Sequence, residues 1–290
     1  MEDITRRGFL CTAATAALAP ALIQSAVAAE AVAPKETYEN QAKGLRILPG
    51  AWRPHYPWEH IVWISPSWPS QDYIWLDFPE AVFTDRGLLF LSHINPAAPA
   101  VYPDWPVVKW KTKGERLSFQ RRLPDGVAFS GAVHKEKENV AGLELRIRNG
   151  TKKPLGKITL QTCAYLRAIK EFADFTPDNK YVHVPGKGWM RFAEAKALTE
   201  QNGTIGLGWR TQANRNADVP MMATVSNAGE RLVAMTWLDA TLSLTQNSRH
   251  PCMHADPQFH DLEPGEDQTI RGRLIFHEGP LQDFPYRQYL

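Results

Sequence analysis

The chain has 290 residues, with 33 lysines and arginines against 31 aspartates and glutamates, so its formal charge is only +2. That balance, with no basic stripe, argues against nucleic acid as a partner, and 3 cysteines are too few for a disulfide-built scaffold. Tryptophan is the outlier: there are 10, five of them between Trp52 and Trp75, a density that needs either a core role or a binding role.

In chain order the first element is Thr5-Arg6-Arg7-Gly8-Phe9-Leu10, followed by an apolar run from Cys11 to about Ala19 and by Ala26-Val27-Ala28. Paired arginines, a short apolar run and an Ala-x-Ala site read as a twin-arginine (Tat) export signal, cleaved near Ala28. The reading predicts the Tat translocation machinery as a partner and a periplasmic or secreted product. The apolar run is short and broken at Pro20, so no stable membrane anchor is expected. Cys11 leaves with the signal. Cys163 and Cys252 remain, either as one disulfide or as two free buried thiols. Residues 29–43 are polar and alanine-rich, as in a flexible leader. A single domain is then expected over 44–290. It is entered through a strap over 44–70, where Pro49, Pro54, Pro57, Pro66 and Pro69 forbid a helix and His60 to Ser65 is the best strand.

Short β segments separated by turn signals follow. Asp72 to Phe78 alternates, and Leu88 to His93 is a short apolar run. Leu117, Phe119, Arg121 and Leu123 alternate with polar residues, as do Val127, Phe129, Gly131 and Val133. Leu143, Leu145 and Ile147 share one face, with Glu144, Arg146 and Arg148 on the other, which is the pattern of a strand buried on one side. Asn149-Gly150-Thr151 makes a turn before a strand over Lys157 to Leu166. Helix is limited to two or three turns at Arg167 to Phe175 and at Phe192 to Gln201. Later strands are predicted at 204–209, 221–226, 231–237, 242–246 and 269–278, with a hairpin turn at Asn227-Ala228-Gly229-Glu230. Many short strands at near-even spacing, without a fixed repeat, predict an all-β fold: a large antiparallel β-sandwich with one or two short helices.

The arrangement of a one-faced strand, an Asn-x-Thr turn and a second strand over Leu117 to Leu166, and more loosely Met221 to Glu278, resembles the β-supersandwich of galactose-mutarotase-like proteins. Polysaccharide lyases and glycoside hydrolase accessory domains are relatives of that family. The resemblance implies a ligand site on an open, concave sheet face, where Gln161 and Tyr165 would meet sugar hydroxyls or a carboxylate. Plain burial under a covering segment is the alternative for those two.

Three places carry candidate chemistry, one of them the row Gln161, Cys163 and Tyr165 on the face opposite the core of Lys157 to Leu166. The densest is His250 to His260: if extended, it puts His250, Cys252, His254 and Asp256 on one face. His250, Cys252 and His254 are a possible zinc or copper ligand set, although Pro251 and Pro257 argue against a regular strand. Local pairing of these groups is the alternative to a metal. As an acid–base site, His254 or His93 would be the base, Asp256 would orient an imidazole, and Tyr165 or Lys180 would serve as acid or electrostatic partner. The third place is the aromatic segment. Trp58 and Trp68, beside prolines, are the candidate sugar platforms, with Asp72, Asp77 and Glu80 nearby and Asp72 as the polar contact. Together these readings predict an exported protein that binds or acts on carbohydrate, as a lyase, hydrolase or epimerase. A non-catalytic carbohydrate-binding domain or a metalloprotein are the alternatives.

Overall fold

The alternation of apolar and polar side chains is carried into seventeen strands among the described residues. The computed structural model describes residues 43–52, 56–93, 106–173, 179–197, 206–208, 217–246 and 252–290. The expected export signal, nearly all of the expected leader and His250 lie outside them. In chain order the strands are β1 (Ile47–Pro49), β2 (Ile61–Ile64), β3 (Ile74–Thr84), β4 (Gly87–Leu91), β5 (Lys111–Lys113), β6 (Arg116–Arg122), β7 (Ala128–Lys137), β8 (Val140–Arg148) and β9 (Thr159–Tyr165). They continue with β10 (Lys180–Val184), β11 (Gly188–Arg191), β12 (Gly206–Gly208), β13 (Met221–Val225), β14 (Arg231–Thr236), β15 (Thr241–Gln246), β16 (Cys252–Pro257) and β17 (Asp267–Glu278). The one α-helix among the described residues is α1 (Phe192–Ala197), and the expected helix after Arg167 is a 3-10 turn at Lys170–Phe172. No helix among the described residues is long and apolar enough to cross a membrane.

Two antiparallel sheets result. The first runs β1-β2-β3-β9-β16-β15-β12 with β4 on β3, and the second runs β11-β10-β13-β14-β17-β8-β7-β6-β5. Their inner faces supply one large core. Strand β8 shows why: Leu143, Leu145 and Ile147 are at most 1% exposed, while Glu144, Arg146 and Arg148 face away from the core. Each such side chain withdrawn from water stabilises the fold by roughly 1.5–3 kcal/mol. The turn that follows is held by Asn149, whose side chain bonds the carbonyls of Lys153 and Leu262 and accepts from Thr151. It also needs Gly150, since a Cβ there would lie 2.2 Å from the Gly126 carbonyl oxygen.

Two strands depart from one-sided alternation. Every residue of β13 is buried. Its outward Met221 and Ala223, with Leu232, Ala234 and Ile275 of the neighbouring strands, are covered by Phe284 and Tyr289 from the C-terminal segment. Strand β3 does not stop at Phe78 as expected but continues through Pro79 to Thr84, with a register shift against β9 between Asp77 and Ala81. Proline inside a strand is tolerated at such a bulge.

The core also contains a polar pair, one cation and one neutral ring. Arg121 donates from Nε to His60 Nε2 (3.0 Å) and from Nη2 to the Trp58 carbonyl (3.1 Å). The His60 ring stacks on Phe119 at 4.0 Å and lies beside Phe90 and Phe129. Burial, reinforced by the Arg121 charge, holds the imidazole well below its usual range, and burial lowers Arg121 to about 10. A histidine kept neutral in the fold but free to protonate when unfolded stabilises above its unfolded pKa and loses that contribution as pH falls. Below about pH 6.5 this group is therefore expected to take away up to ~1.4 kcal/mol of stability per pH unit, read as the difference in slope between wild type and a variant that cannot titrate, in urea denaturation from pH 7 to 5. His60→Gln, which keeps an acceptor but cannot titrate, should be shallower by that amount. Equal slopes would show that His60 protonates as readily in the fold as out of it.

Candidate functional site

Period two along three neighbouring strands gathers the polar groups on the outer face of the first sheet. On β9, Leu160 and Ala164 enter the core while Gln161, Cys163 and Tyr165 point away from it. On β16, Met253 and Ala255 enter the core while Cys252, His254 and Asp256 point away. On β3 the register passes from Asp77↔Cys163 to Ala81↔Gln161, four residues against two. The extra residues follow Phe78, which continues the inward row of Ile74 and Leu76 and is fully buried against Trp237. They aim Glu80 onto the same face as Asp77, which strict alternation forbids for positions three apart.

Glu80 ends between two imidazoles. Its Oε1 is 3.6 Å from His93 Nδ1 and its Oε2 is 3.8 Å from His254 Nδ1. His254 Nδ1 is also 3.9 Å from Asp256 Oδ1. Ser92 Oγ donates to Asp77 Oδ2 at 2.5 Å and lies 3.3 Å from His93 Nδ1. The ladder between β9 and β16 pairs Cys252 with Tyr165 and Met253 with Ala164. Beyond it, Thr162 takes over: its N–H donates to Asp256 Oδ1 (3.0 Å) and its Oγ1 to the Ala255 carbonyl (2.7 Å).

The electrostatics follow from burial inside this cluster. Burial opposes a charge on His254, but the hydrogen bond to Cys252 and the Asp256 and Glu80 carboxylates outweigh it and raise the imidazole to about 10. Burial raises Asp256 to about 6 against the pull of His254 and the Thr162 N–H. The Cys163 thiol, hydrogen-bonded to Cys252 and buried, is pushed well above its usual value. Both thiols are unbridged and buried.

An aromatic wall adjoins the cluster. Trp52, Trp75 and Tyr165 are half-buried and mutually packed, with ring centroids 4.7 Å apart for Trp52–Tyr165, 5.7 Å for Trp75–Tyr165 and 5.9 Å for Trp52–Trp75. Trp75 and Tyr165 are cross-strand partners, two residues from Asp77 and Cys163, or about 7 Å along the strands.

The residues singled out from sequence are placed as follows. His254, Asp256, Cys252, Tyr165, Gln161 and His93 meet on or beside this face. Trp68 is corrected from sugar platform to core: it is 1% exposed, packed on Phe172 and Phe276 with Arg231 over its ring. Prolines at 66 and 69 mark a loop, but the loop folds inward over the sandwich, and an enclosed ring offers no face to a sugar. Trp58 packs against the core beside Tyr56 rather than joining the wall. Asp72 is occupied by the Lys170 N–H (3.0 Å). Lys180 is not a turn cation. It opens β10 opposite Thr224, on the face that sends Val182 into the core, and is 1% exposed, with Nζ donating to Asn179 Oδ1 (3.0 Å). Burial lowers its amine to about 8, against the field of Cys252. In the metal set, the third donor beside Cys252 and His254 among the described residues is Cys163. The sequence places Asp77 and Glu80 beside the aromatic segment Trp52 to Trp75 but gives neither carboxylate a role, and it singles out Trp58 and Trp68 rather than Trp52 and Trp75 as the platforms. Phe78-Pro79 inside an apolar strand was the available signal, because a proline there requires a bulge. A separate cleft of about 590 Å³ near Leu238–Ala240 and Gln258–Asp261 contains none of the clustered groups.

No family model matches the chain, and no curated protein matches it. Solved structures are similar in fold. A GalM/aldose epimerase homologue from C. elegans is 10% identical, covering 82% of this chain and 97% of its own, with a TM-score of 0.47. A galactose mutarotase related enzyme from Lactobacillus acidophilus is 10% identical, covering 82% and 96%, also at 0.47. A galactose 1-epimerase from Lactobacillus acidophilus is 9% identical, covering 82% and 100%, at 0.37.

Proposed function

We propose that this protein is a carbohydrate-active enzyme that transfers protons on a sugar bound to the outer face of the first sheet. The observation that carries the reading is the Glu80 carboxylate flanked by His93 and His254, one register step from the Trp52–Trp75–Tyr165 wall. Aromatic faces stack on the apolar faces of sugar rings, and nearby polar groups then select the stereochemistry. Glu80 is the base. His93, the more exposed of the two imidazoles with 24% of its side chain accessible, is the acid that returns a proton. The charge on His254 faces that of Glu80 across 3.8 Å and offsets it. Epimerisation and β-elimination both need such a pair, and this reading includes both. Export by the twin-arginine route is part of the proposal and rests on Arg6, Arg7 and the Ala26-Val27-Ala28 site.

The test is ligand binding followed by turnover. Neutral aldoses and uronic acids are screened by thermal shift, since a ligand that binds the native state raises Tm. A sugar at 100 times its Kd adds about 2.7 kcal/mol of stability. Trp52→Ala is expected to remove that rise while leaving the unliganded Tm within a few degrees. No rise with any sugar overturns the proposal. A rise without turnover of the bound sugar leaves a binding domain.

A further inference from the structure

We propose that Cys163, Cys252 and His254, side chains on the outer side of the first sheet, form a binding site for one divalent transition-metal ion of the zinc type. The inference does not depend on the sugar reading: of the three donors only His254 bears on proton transfer, through a charge that a bound ion would supply instead. The three donor atoms lie within 4.8 Å of one another. A tetrahedral zinc site, with bonds of about 2.3 Å to sulfur and 2.0 Å to nitrogen, places its donors roughly 3.6–3.8 Å apart. A small rotation of each side chain closes that gap.

The backbone favours the arrangement. Cys252 and His254 are two residues apart on β16, and Cys163 is two residues from the β9 partner of Cys252, so the strand ladder fixes all three on one face. All three are buried, at 1% (Cys163), 4% (Cys252) and 3% (His254) exposure. Two thiols and an imidazole gathered in one buried spot cost desolvation energy that apolar residues at these positions would not. Two thiolates and a neutral imidazole balance the charge of a divalent ion.

The surroundings fit as well. A metal-binding histidine usually turns its other ring nitrogen towards a carboxylate, which sets the ring's orientation. His254 Nδ1 makes no hydrogen bond, and the nearest carboxylates are Glu80 (3.8 Å) and Asp256 (3.9 Å). Soft thiolate and imidazole donors select zinc-type ions over magnesium or calcium. The second group of potential ligands, Asp77, Glu80 and His93, is mostly carboxylate and lies beside this one. With a metal bound, the ion's charge stands opposite Glu80 in place of an imidazolium, and proton traffic is left to Glu80 and His93.

The test uses the full chain, purified under reducing conditions, stripped with a chelator and titrated with Co(II) in the absence of sugar. One equivalent is expected to give a thiolate-to-cobalt charge-transfer band and intense tetrahedral d–d bands. Zinc should displace the cobalt. Cys163→Ser and Cys252→Ser should each abolish the charge-transfer signature with unchanged far-UV circular dichroism, whereas His93→Ala should keep it. The proposal is overturned if the reduced wild-type chain shows no charge-transfer band, if the band survives Cys163→Ser, or if His93→Ala removes it. Because the readout is the metal's own spectrum, failure of sugar binding leaves it untouched, and its failure leaves the sugar reading standing.

Discussion

Replacing Trp237 with alanine is expected to destabilise the chain by about 3–5 kcal/mol, the range for deleting a fully buried indole from a core. Against a total stability on the order of 5–15 kcal/mol, that is a large fraction. The ring is 0% exposed and lies parallel to Phe78, with centroids 6.4 Å apart. Its neighbour across the strands is Gly272, where a Cβ would come within 2.7 Å of the indole, so no side chain can expand into the vacated volume from that side. The cavity term is therefore felt nearly in full. The loss also reaches the site. Trp237 Nε1 donates to Thr162 Oγ1 (3.2 Å), and Thr162 is the residue that ties β9 to Ala255 and Asp256. Urea denaturation gives the magnitude, and Trp237→Phe, which refills most of the volume, should recover more than half of it. A midpoint unchanged in Trp237→Ala would show that the two sheets do not depend on this ring for their packing.

The fold was legible because most strands are buried on one side. In β8 the alternation alone names the inward residues, and the Asn227 to Glu230 turn joins β13 to β14 as its chemistry demands. The outward row Cys252, His254, Asp256 is equally direct, since period two needs only that the segment be extended. What was not legible depends on tertiary contact. Trp68 reads as an exposed loop residue until Phe172 and Phe276 close around it. Lys180 reads as a turn cation until pairing with Thr224 fixes which way it faces. Cys163 meets Cys252 and His254 only because β9 and β16 are neighbours in the sheet, an adjacency that a separation of 89 positions conceals. Glu80 is the most instructive miss. Alternation from Asp77 assigns it to the wrong face, and only the bulge at Phe78-Pro79 reverses that assignment.

Glu80→Gln is expected to lower turnover of the bound sugar by about 10²–10⁴-fold, the usual contribution of a positioned acid–base group. That corresponds to roughly 2.7–5.5 kcal/mol of lost transition-state stabilisation. Glutamine keeps the size and shape of the side chain, whose carboxylate is only 12% accessible, so the wall and the strand bulge should be preserved. What disappears is the proton-accepting oxygen and the negative charge that both imidazoles face. The kinetic signature separates this role from simple binding. An interaction made only in the transition state lowers kcat with KM unchanged, whereas uniform binding raises KM alone. Glu80→Gln should therefore fall in the first class and Trp52→Ala in the second. His93→Gln should resemble Glu80→Gln in class, because it removes the proton-returning partner on the exposed side. Full turnover in Glu80→Gln would place the reacting proton elsewhere on the face. In that case Asp256, raised to about 6 by its burial beside His254, is the next carboxylate to test.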